Sequence, residues 1–535
     1  MKRFGTGLAL ILSVFFCSQL FADDRPNIVF IFSDDHANHA IGAYDGIFAG
    51  VNPTPNIDAL AKRGMLFKNS FCTNSICGPS RAVILTGLHS HLNGFRKNGD
   101  NFDGSQLTFP KLLQKAGYQT AMIGKWHLIS NPQGFDHWDI LPGQGAYYNP
   151  MFITKGNERT RVEGHCTDIV TDKAIDWLET AKSSDQPFVL MCQHKAPHRT
   201  WMPAIRHLDL YADIKMPEPE TLFDQWEDNA SGAQYQEMEI DRHLHPNFDL
   251  HLPLARDYDA NKEKGKSMDK SGWRNKKNMT PEQLAAWDAK WKKRNDEFFA
   301  LNLEGEDLVR WKYQRYIKNY LRCIKGVDES VGRITDWLKQ NDLSENTVVF
   351  YASDQGFYLG DHGWYDKRWM YDESMMMPLI VSWPGVTKPG SVNSALVQNL
   401  DYAPTFLDIC GVKIPPKMQG NSLVPLLEGK QPADWRESVY YHYFGYPAVH
   451  MVPRHCGVRT KEHKLIHFYQ LGEWEFYDLK SDPDEITNRY QDPEYQDEIK
   501  VMKQELARLQ NIYGDQTDFS EMPNEWKNRM RGEER

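Results

Sequence analysis

An α/β sandwich built on a mostly parallel central sheet, followed by a small α+β subdomain, is the fold class this sequence predicts. Three observations point there. Four short apolar runs, at 27–33, 118–123, 187–193 and 347–353, lack the alternation of a half-exposed strand, which suits strands covered on both faces. Helical patterns separate them, as βα alternation around a parallel sheet requires. Beyond about residue 430 the texture changes to short alternating runs and one amphipathic stretch.

In chain order, residues 1–22 read as a signal peptide. Lys2 and Arg3 precede an apolar stretch over 7–16, and Ala22 offers a small residue for cleavage. The mature chain is expected to be periplasmic or secreted, with no membrane attachment after cleavage. A catalytic α/β domain is assigned to 23–430, with helices at 57–63, 81–88, 109–116, 167–181 and 308–340. Within it, 203–310 is rich in charged residues, Asn, Met and Trp, has little strand signal, and reads as an insertion. One helix inside it starts at Thr280-Pro281-Glu282, a capping residue followed by a first-turn proline. The subdomain, 431–535, shows strand patterns at 438–443, 457–459, 464–468 and 474–479 and a closing helix at 498–513.

A hydrophobic content of 41% with 25% charged residues marks a globular chain. The net charge of −10 argues against nucleic-acid binding, though not against a basic pocket for a small anion. Cys72, Cys77, Cys166, Cys192, Cys323, Cys410 and Cys456 show no CxxC pair and no zinc spacing. Most are read as buried free thiols, and no pairing is legible.

Chemistry gathers where the strands end. Asp34-Asp35 follows the first, Gly124-Lys125-Trp126-His127 the second, Ala196-Pro197-His198 the third and Asp354-Gln355 the fourth. Ligands of open α/β sheets bind outside the carboxyl ends of the strands, so these groups are candidates for one crevice. Asp34, Asp35, Asp354 and Gln355 offer hard oxygen donors suited to Ca²⁺, with Mg²⁺ as the alternative. Residues 77–87, Cys-Gly-Pro-Ser-Arg-Ala-Val-Ile-Leu-Thr-Gly, place a thiol at a helix start, where free N–H groups face an anion.

This stretch is C-x-P-S-R-x-x-x-L-T-G, and through it the chain resembles the type I sulfatases of the alkaline-phosphatase superfamily. Residues 27–36, 124–127, 196–198 and 354–367 extend the resemblance over nearly all of the mature chain. It implies an alkaline-phosphatase-like fold and a sulfuric ester hydrolase. In that family a maturation enzyme oxidises the cysteine to formylglycine. Cys77 would then carry the hydrate that attacks sulfur and would add an oxygen to the metal site. Arg81 and Lys125 would hold its charge, and His127 would accept a proton from it. His198 and Lys367 would bind the sulfate, with His198 as general acid. Gln355 departs from the Asn or His of many relatives.

The 203–310 insertion, 311–339 and 450–459 look similar to bacterial N-acetylglucosamine-6-sulfatase-like enzymes. They imply a sulfated glycan substrate, favouring 6-O-sulfated N-acetylglucosamine. Asp361, His362, Arg454 and His455 are the candidate sugar ligands, and Trp138 and Trp201 candidate stacking platforms. Two alternatives stand beside this reading: a phosphodiesterase or phosphonate monoester hydrolase of the same superfamily, and a non-catalytic glycan-binding protein.

Overall fold

The computed structural model describes residues 25–253, 276–523 and 527. The expected signal peptide lies outside the described residues. Among those described, no helix is long and apolar enough to cross a membrane.

Ten strands form the main sheet: β1 (Asn27–Asp34), β2 (Met65–Phe67), β3 (Gln119–Lys125), β4 (His137–Leu141), β5 (Met151–Thr154), β6 (Arg159–Arg161), β7 (Phe188–Pro197), β8 (Thr347–Ser353), β9 (Leu379–Ser382) and β10 (Ser391–Asn393). Their spatial order is β10-β2-β9-β8-β1-β7-β3-β4-β5-β6. The run β8-β1-β7-β3-β4 is parallel, and antiparallel pairs appear towards both edges. Strand β1 explains the missing alternation. Ile28, Phe30 and Phe32 enter the core on one face, and Val29 and Ile31 the core on the other.

Helices cover both faces. One layer holds α1 (Pro55–Arg63), α4 (Cys166–Ala181) and the long α6 (Gly305–Gln340); the other holds α2 (Cys77–Thr86), α3 (Phe109–Lys115) and α7 (Tyr402–Ile409). The insertion contributes α5 (Pro281–Leu301), whose Thr280 and Gln283 form a reciprocal capping box. It ends earlier than expected. Gly305, at φ +55°, opens α6, so residues 305–310 belong to the helix and not to the insertion.

The C-terminal subdomain is an antiparallel meander of β11 (Ser438–Tyr443), β12 (His455–Thr460), β13 (His463–Phe468) and β14 (Glu473–Asp478), closed by α8 (Gln496–Tyr513). Tyr440, Val458, Leu465 and Phe476 pack against Ile499, Met502, Leu506 and Leu509 of α8. The opposite face, with Val439, Tyr441 and Ile466, joins the core of the catalytic domain. Buried charges pin the junction: Lys464 meets Asp372 at 2.7 Å and Glu485 at 2.6 Å, and Arg459 meets Asp372 at 2.6 Å. The seven described cysteines are buried free thiols.

Glu475 is fully buried at this junction, accepting from Ala230 N at 2.6 Å and Tyr371 Oη at 2.9 Å. Burial pushes its carboxyl up to about 7 from the ordinary 4.5. Between those values the folded state holds the proton more tightly than the unfolded chain, so stability falls as pH rises through that window. The expected fall from this group is at most about 3 kcal/mol between pH 5 and pH 8. Glu475→Gln should flatten it, read as denaturant midpoints of both proteins at the two pH values. The same slope in both would remove Glu475 as its source.

Candidate active site

The sheet brings the strand ends into register. Ser33 pairs with Ser353, and Asp34 lies opposite Pro197 across a bulge in β7. The pairs Asp34-Asp35 and Asp354-Gln355 therefore emerge side by side, and Asp35 N donates to Asp354 Oδ1 at 3.0 Å. Lys125 ends β3, where Gly124 pairs with Gln193. Gly124 sits at φ +105°, and a Cβ there would lie 1.9 Å from the Gln193 carbonyl, so only glycine fits.

Cys77 is the first residue of α2, a helix buried along its whole length. Its Sγ lies 3.9 Å from Gln355 Nε2. The loop before it is held by the C-terminal subdomain: Ser75 N donates to Tyr441 Oη at 3.1 Å, and His442 N to Thr73 O at 3.0 Å. Burial pushes the Cys77 thiol up to about 12, against the pull of Lys367. As a thiol this side chain stays protonated at neutral pH and is a poor nucleophile.

Cations ring the thiol. Arg81 binds Asp354 Oδ2 through Nε at 3.1 Å and Nη2 at 2.9 Å. Its Nη1 donates to Lys125 O at 2.6 Å and Gln193 Oε1 at 2.7 Å, and its guanidinium lies 5.0 Å from the Phe32 ring centre. Lys125 pairs with Asp34 and donates to Gln144 Oε1 at 2.5 Å. Lys367 spans both oxygens of Asp35 at 2.7 Å. His127 and His198 retain more solvent exposure than these groups and mark the open side. Burial first, and then the neighbouring lysines, hold both histidines well below their ordinary value. Both are neutral near pH 7.

His198 is oriented from behind. Its Nδ1 donates to Arg199 O at 2.5 Å, which leaves Nε2 facing Asp35 at 3.8 Å. Arg199 is itself fixed by a two-pronged pair with Asp249, at 2.6 Å on each prong, and lies 4.8 Å from the Tyr365 ring centre. Asp249→Asn should loosen this support. The expected loss of turnover is about 10- to 100-fold on alkyl esters, and smaller on aryl esters whose leaving group needs no proton. Equal losses on both would deny His198 the acid role.

The donor set fits a divalent cation. Oxygens of Asp34, Asp35 and Asp354 lie within 4.8 Å of one another, as do ligand atoms of Asp34, Cys77 and His198. Asp34 Oδ1 and Gln355 Oε1 are buried without a hydrogen-bond partner. Burial, joined by the charges of Asp354 and Asp366, pushes Asp35 up to about 7 despite Lys367. Asp34, Asp35, Asp354 and Gln355 all offer oxygens of the hard class.

The expected catalytic and metal residues thus form one cluster; the expected sugar ligands do not all face it. His362 is fully buried, bonded to Asp224 at 3.1 Å and stacked among Trp364 and Tyr371. Burial opposes its charge, but Asp224 and Glu373 outweigh it and raise the ring to about 9. It is an internal cation of the loop that carries Lys367, not a sugar contact. His455 is likewise buried, donating to Pro453 O at 2.8 Å between Trp369 and Tyr441. Trp201 packs on Tyr316 at 4.4 Å, and Trp138 is buried, so neither offers a free face. Asp361 accepts from Leu359 N at 2.9 Å and stands 3.5 Å from His39, and Arg454 donates to Tyr446 O at 2.7 Å; both keep some exposure. Sequence reasoning missed Lys195, Arg368 and Asp249. Lys195 is buried and lowered to about 8, by burial above all, and its charge reaches Lys125, His127 and His198. Arg368, at φ +98°, pairs with Asp366 at 3.2 Å. Lys195 and Arg368 each flank a recognised motif by one or two residues.

The sulfatase family model matches residues 26–412. The chain belongs to the sulfatase family. A model of the C-terminal region of N-sulphoglucosamine sulphohydrolase matches residues 360–512, so the sulfatase signal runs through the subdomain too. An N-acetylglucosamine-6-O-sulfatase of Bacteroides thetaiotaomicron is 48% identical, over 92% of this chain and 87% of its own length. The human N-acetylglucosamine-6-sulfatase is 27% identical, over 79% of this chain and 68% of its own length. A solved chain in complex with its substrate, D-glucosamine-2-N,6-O-disulfate, superposes with a TM-score of 0.87 at 47% identity, covering 92% of this chain and 99% of that one. The alkaline-phosphatase-like sandwich with its small C-terminal sheet is the fold of these sulfatases, and this sulfatase is a sulfuric ester hydrolase.

Proposed function

We propose that this sulfatase removes the 6-O-sulfate of N-acetylglucosamine or a related glucosamine unit in sulfated glycans. The observation that carries the reading is the gathering of Cys77, Arg81, Lys125, His127, His198 and Lys367 around four oxygen-donor residues at adjoining strand ends. The near half-identity to an N-acetylglucosamine-6-O-sulfatase over almost the whole chain supports this choice of sugar.

Two groups complete the site in this reading. Asp34, Asp35, Asp354 and Gln355 would hold Ca²⁺, which supplies Lewis-acid polarisation of a sulfate oxygen. Residue 77, matured from cysteine to formylglycine, supplies a hydrated aldehyde as the nucleophile. The remaining work falls to side chains already in place. Arg81, Lys125 and Lys367 hold fixed positive charge against the sulfuryl oxygens as charge builds there. His127, neutral in the free site, accepts a proton on the nucleophile's side. His198 gives a proton to the departing sugar oxygen from Nε2, because Nδ1 is committed to the Arg199 carbonyl. A sulfate anion beside His198 offsets the lysines that hold it neutral and so favours its protonated form.

Sulfate release from a panel of defined monosaccharide and oligosaccharide sulfates tests the reading. Preference for glucosamine 6-sulfates supports it. Turnover of phosphodiesters or phosphonates without sulfate release would replace it. Asp34→Ala should lower bound metal below one ion per chain, and sulfate release in parallel. Unchanged metal by elemental analysis would remove Asp34 from the ligand set.

A further inference from the structure

Helix α6 has two faces with different surroundings. Tyr313, Tyr316 and Tyr320 are buried, and Tyr320 Oη donates to the Asp35 carbonyl at 2.7 Å, so this face backs the active centre. The other face, with α5 and the 209–215 loop, borders an open groove of about 780 Å³. Seven cationic side chains and three carboxylates line it, in a chain whose overall charge is −10.

Two of those cations are buried arginines without a carboxylate. Arg315 is 8% exposed and Arg322 2% exposed, and neither has a carboxylate oxygen of the described residues within 4.0 Å. Arg315 donates to Leu250 O at 3.1 Å and to Asn295, with its guanidinium 4.1 Å from the Trp291 ring centre. Arg322 donates to Leu210 O at 2.8 Å and Asn319 Oδ1 at 3.0 Å. Their hydrogen bonds are largely met, but neither has a carboxylate of its own: Asp209, whose charge reaches Arg322, is bonded to Lys290 and Arg294. Burial, and then the neighbouring guanidiniums, hold Arg315 well below its ordinary range. Lys318, beside them, donates to the Ala212 carbonyl at 3.0 Å. Buried positive charge left uncompensated by the protein calls for an anion from outside.

We propose that this groove is a second, non-catalytic binding site for a sulfated polysaccharide chain. The choice of ligand rests on the active-site reading above. The groove's aromatic residues also argue against a nucleic acid. Trp311 and Phe298 lie against each other at 3.9 Å and Arg315 lies 5.3 Å from the Trp311 ring centre, so these rings are engaged within the protein and offer poor platforms for bases. Spaced point charges suit sulfates along a flexible polymer better.

The test is the triple variant Lys215→Gln, Lys293→Gln and Lys318→Gln in the full-length enzyme, which alters exposed or half-exposed side chains and leaves the buried arginines in place. It should elute from immobilised heparin at lower salt than the parent. Its KM on a sulfated polymer should rise about tenfold or more through lost avidity, with kcat and KM on a monosaccharide 6-sulfate unchanged. Unchanged elution and unchanged polymer KM would overturn the proposal. So would tighter binding of single-stranded DNA than of heparin. If the parent released no sulfate from either substrate yet its retention depended on the three lysines, the groove would stand and the active-site reading would fall.

Discussion

Cys77→Ala should bring sulfate release down by about 10⁴-fold or more while the protein remains folded. The side chain begins a buried helix and, among the described residues, makes one weak polar contact, to Gln355 Nε2 at 3.9 Å, so its removal should cost about 1 kcal/mol. The activity loss follows from the chemistry. Burial keeps an ordinary thiol protonated here, so an enzyme working at neutral pH has no nucleophile unless residue 77 carries a different group. Mass spectrometry of the peptide containing residue 77 belongs beside the assay. An active preparation bearing only the thiol, or an alanine variant retaining more than about 1% of turnover, would end the formylglycine reading.

Arg81→Ala should do damage of a second kind. Arg81 is 3% exposed and ties together the ends of β8, β3 and β7 through Asp354, the Lys125 carbonyl and Gln193. Its removal strips the partner from a buried carboxylate, at a cost of about 3–5 kcal/mol, and takes positive charge from the sulfate site. Arg81→Lys separates the two effects. Lysine keeps the charge but cannot reach all three acceptors at once, so activity should still fall about 100-fold while stability recovers in part. A lysine variant with parental turnover would show that charge alone suffices and that the planar fork is dispensable.

The sequence made the central sheet and the reactive cluster legible for the same reason. Continuous apolar runs such as 27–33 and 347–353 mark strands covered on both faces, and the polar residues directly after them must lie at one edge of the sheet. Asp34, Lys125, His198 and Asp354 were therefore readable together. The sugar side was not. His362 and His455 carry the residue type of a ligand, but their burial against Asp224 and Trp369 is set by packing between distant segments, which no local pattern reveals. Asp249 was invisible because its partner, Arg199, lies fifty residues away in an irregular part of the fold. Lys195 falls between the apolar run 187–193 and the Ala196-Pro197-His198 motif, and neither pattern claims it.

The loop before Cys77 is clasped by Tyr441 and His442, residues made more than three hundred positions later. While the chain is still emerging, this clasp does not yet exist, and the loop before residue 77 lacks that support. Once the last strands dock, the side chain of residue 77 has no exposed surface. Any other protein that alters this residue must reach it before synthesis and docking are finished, and an enzyme that folds first forfeits the change.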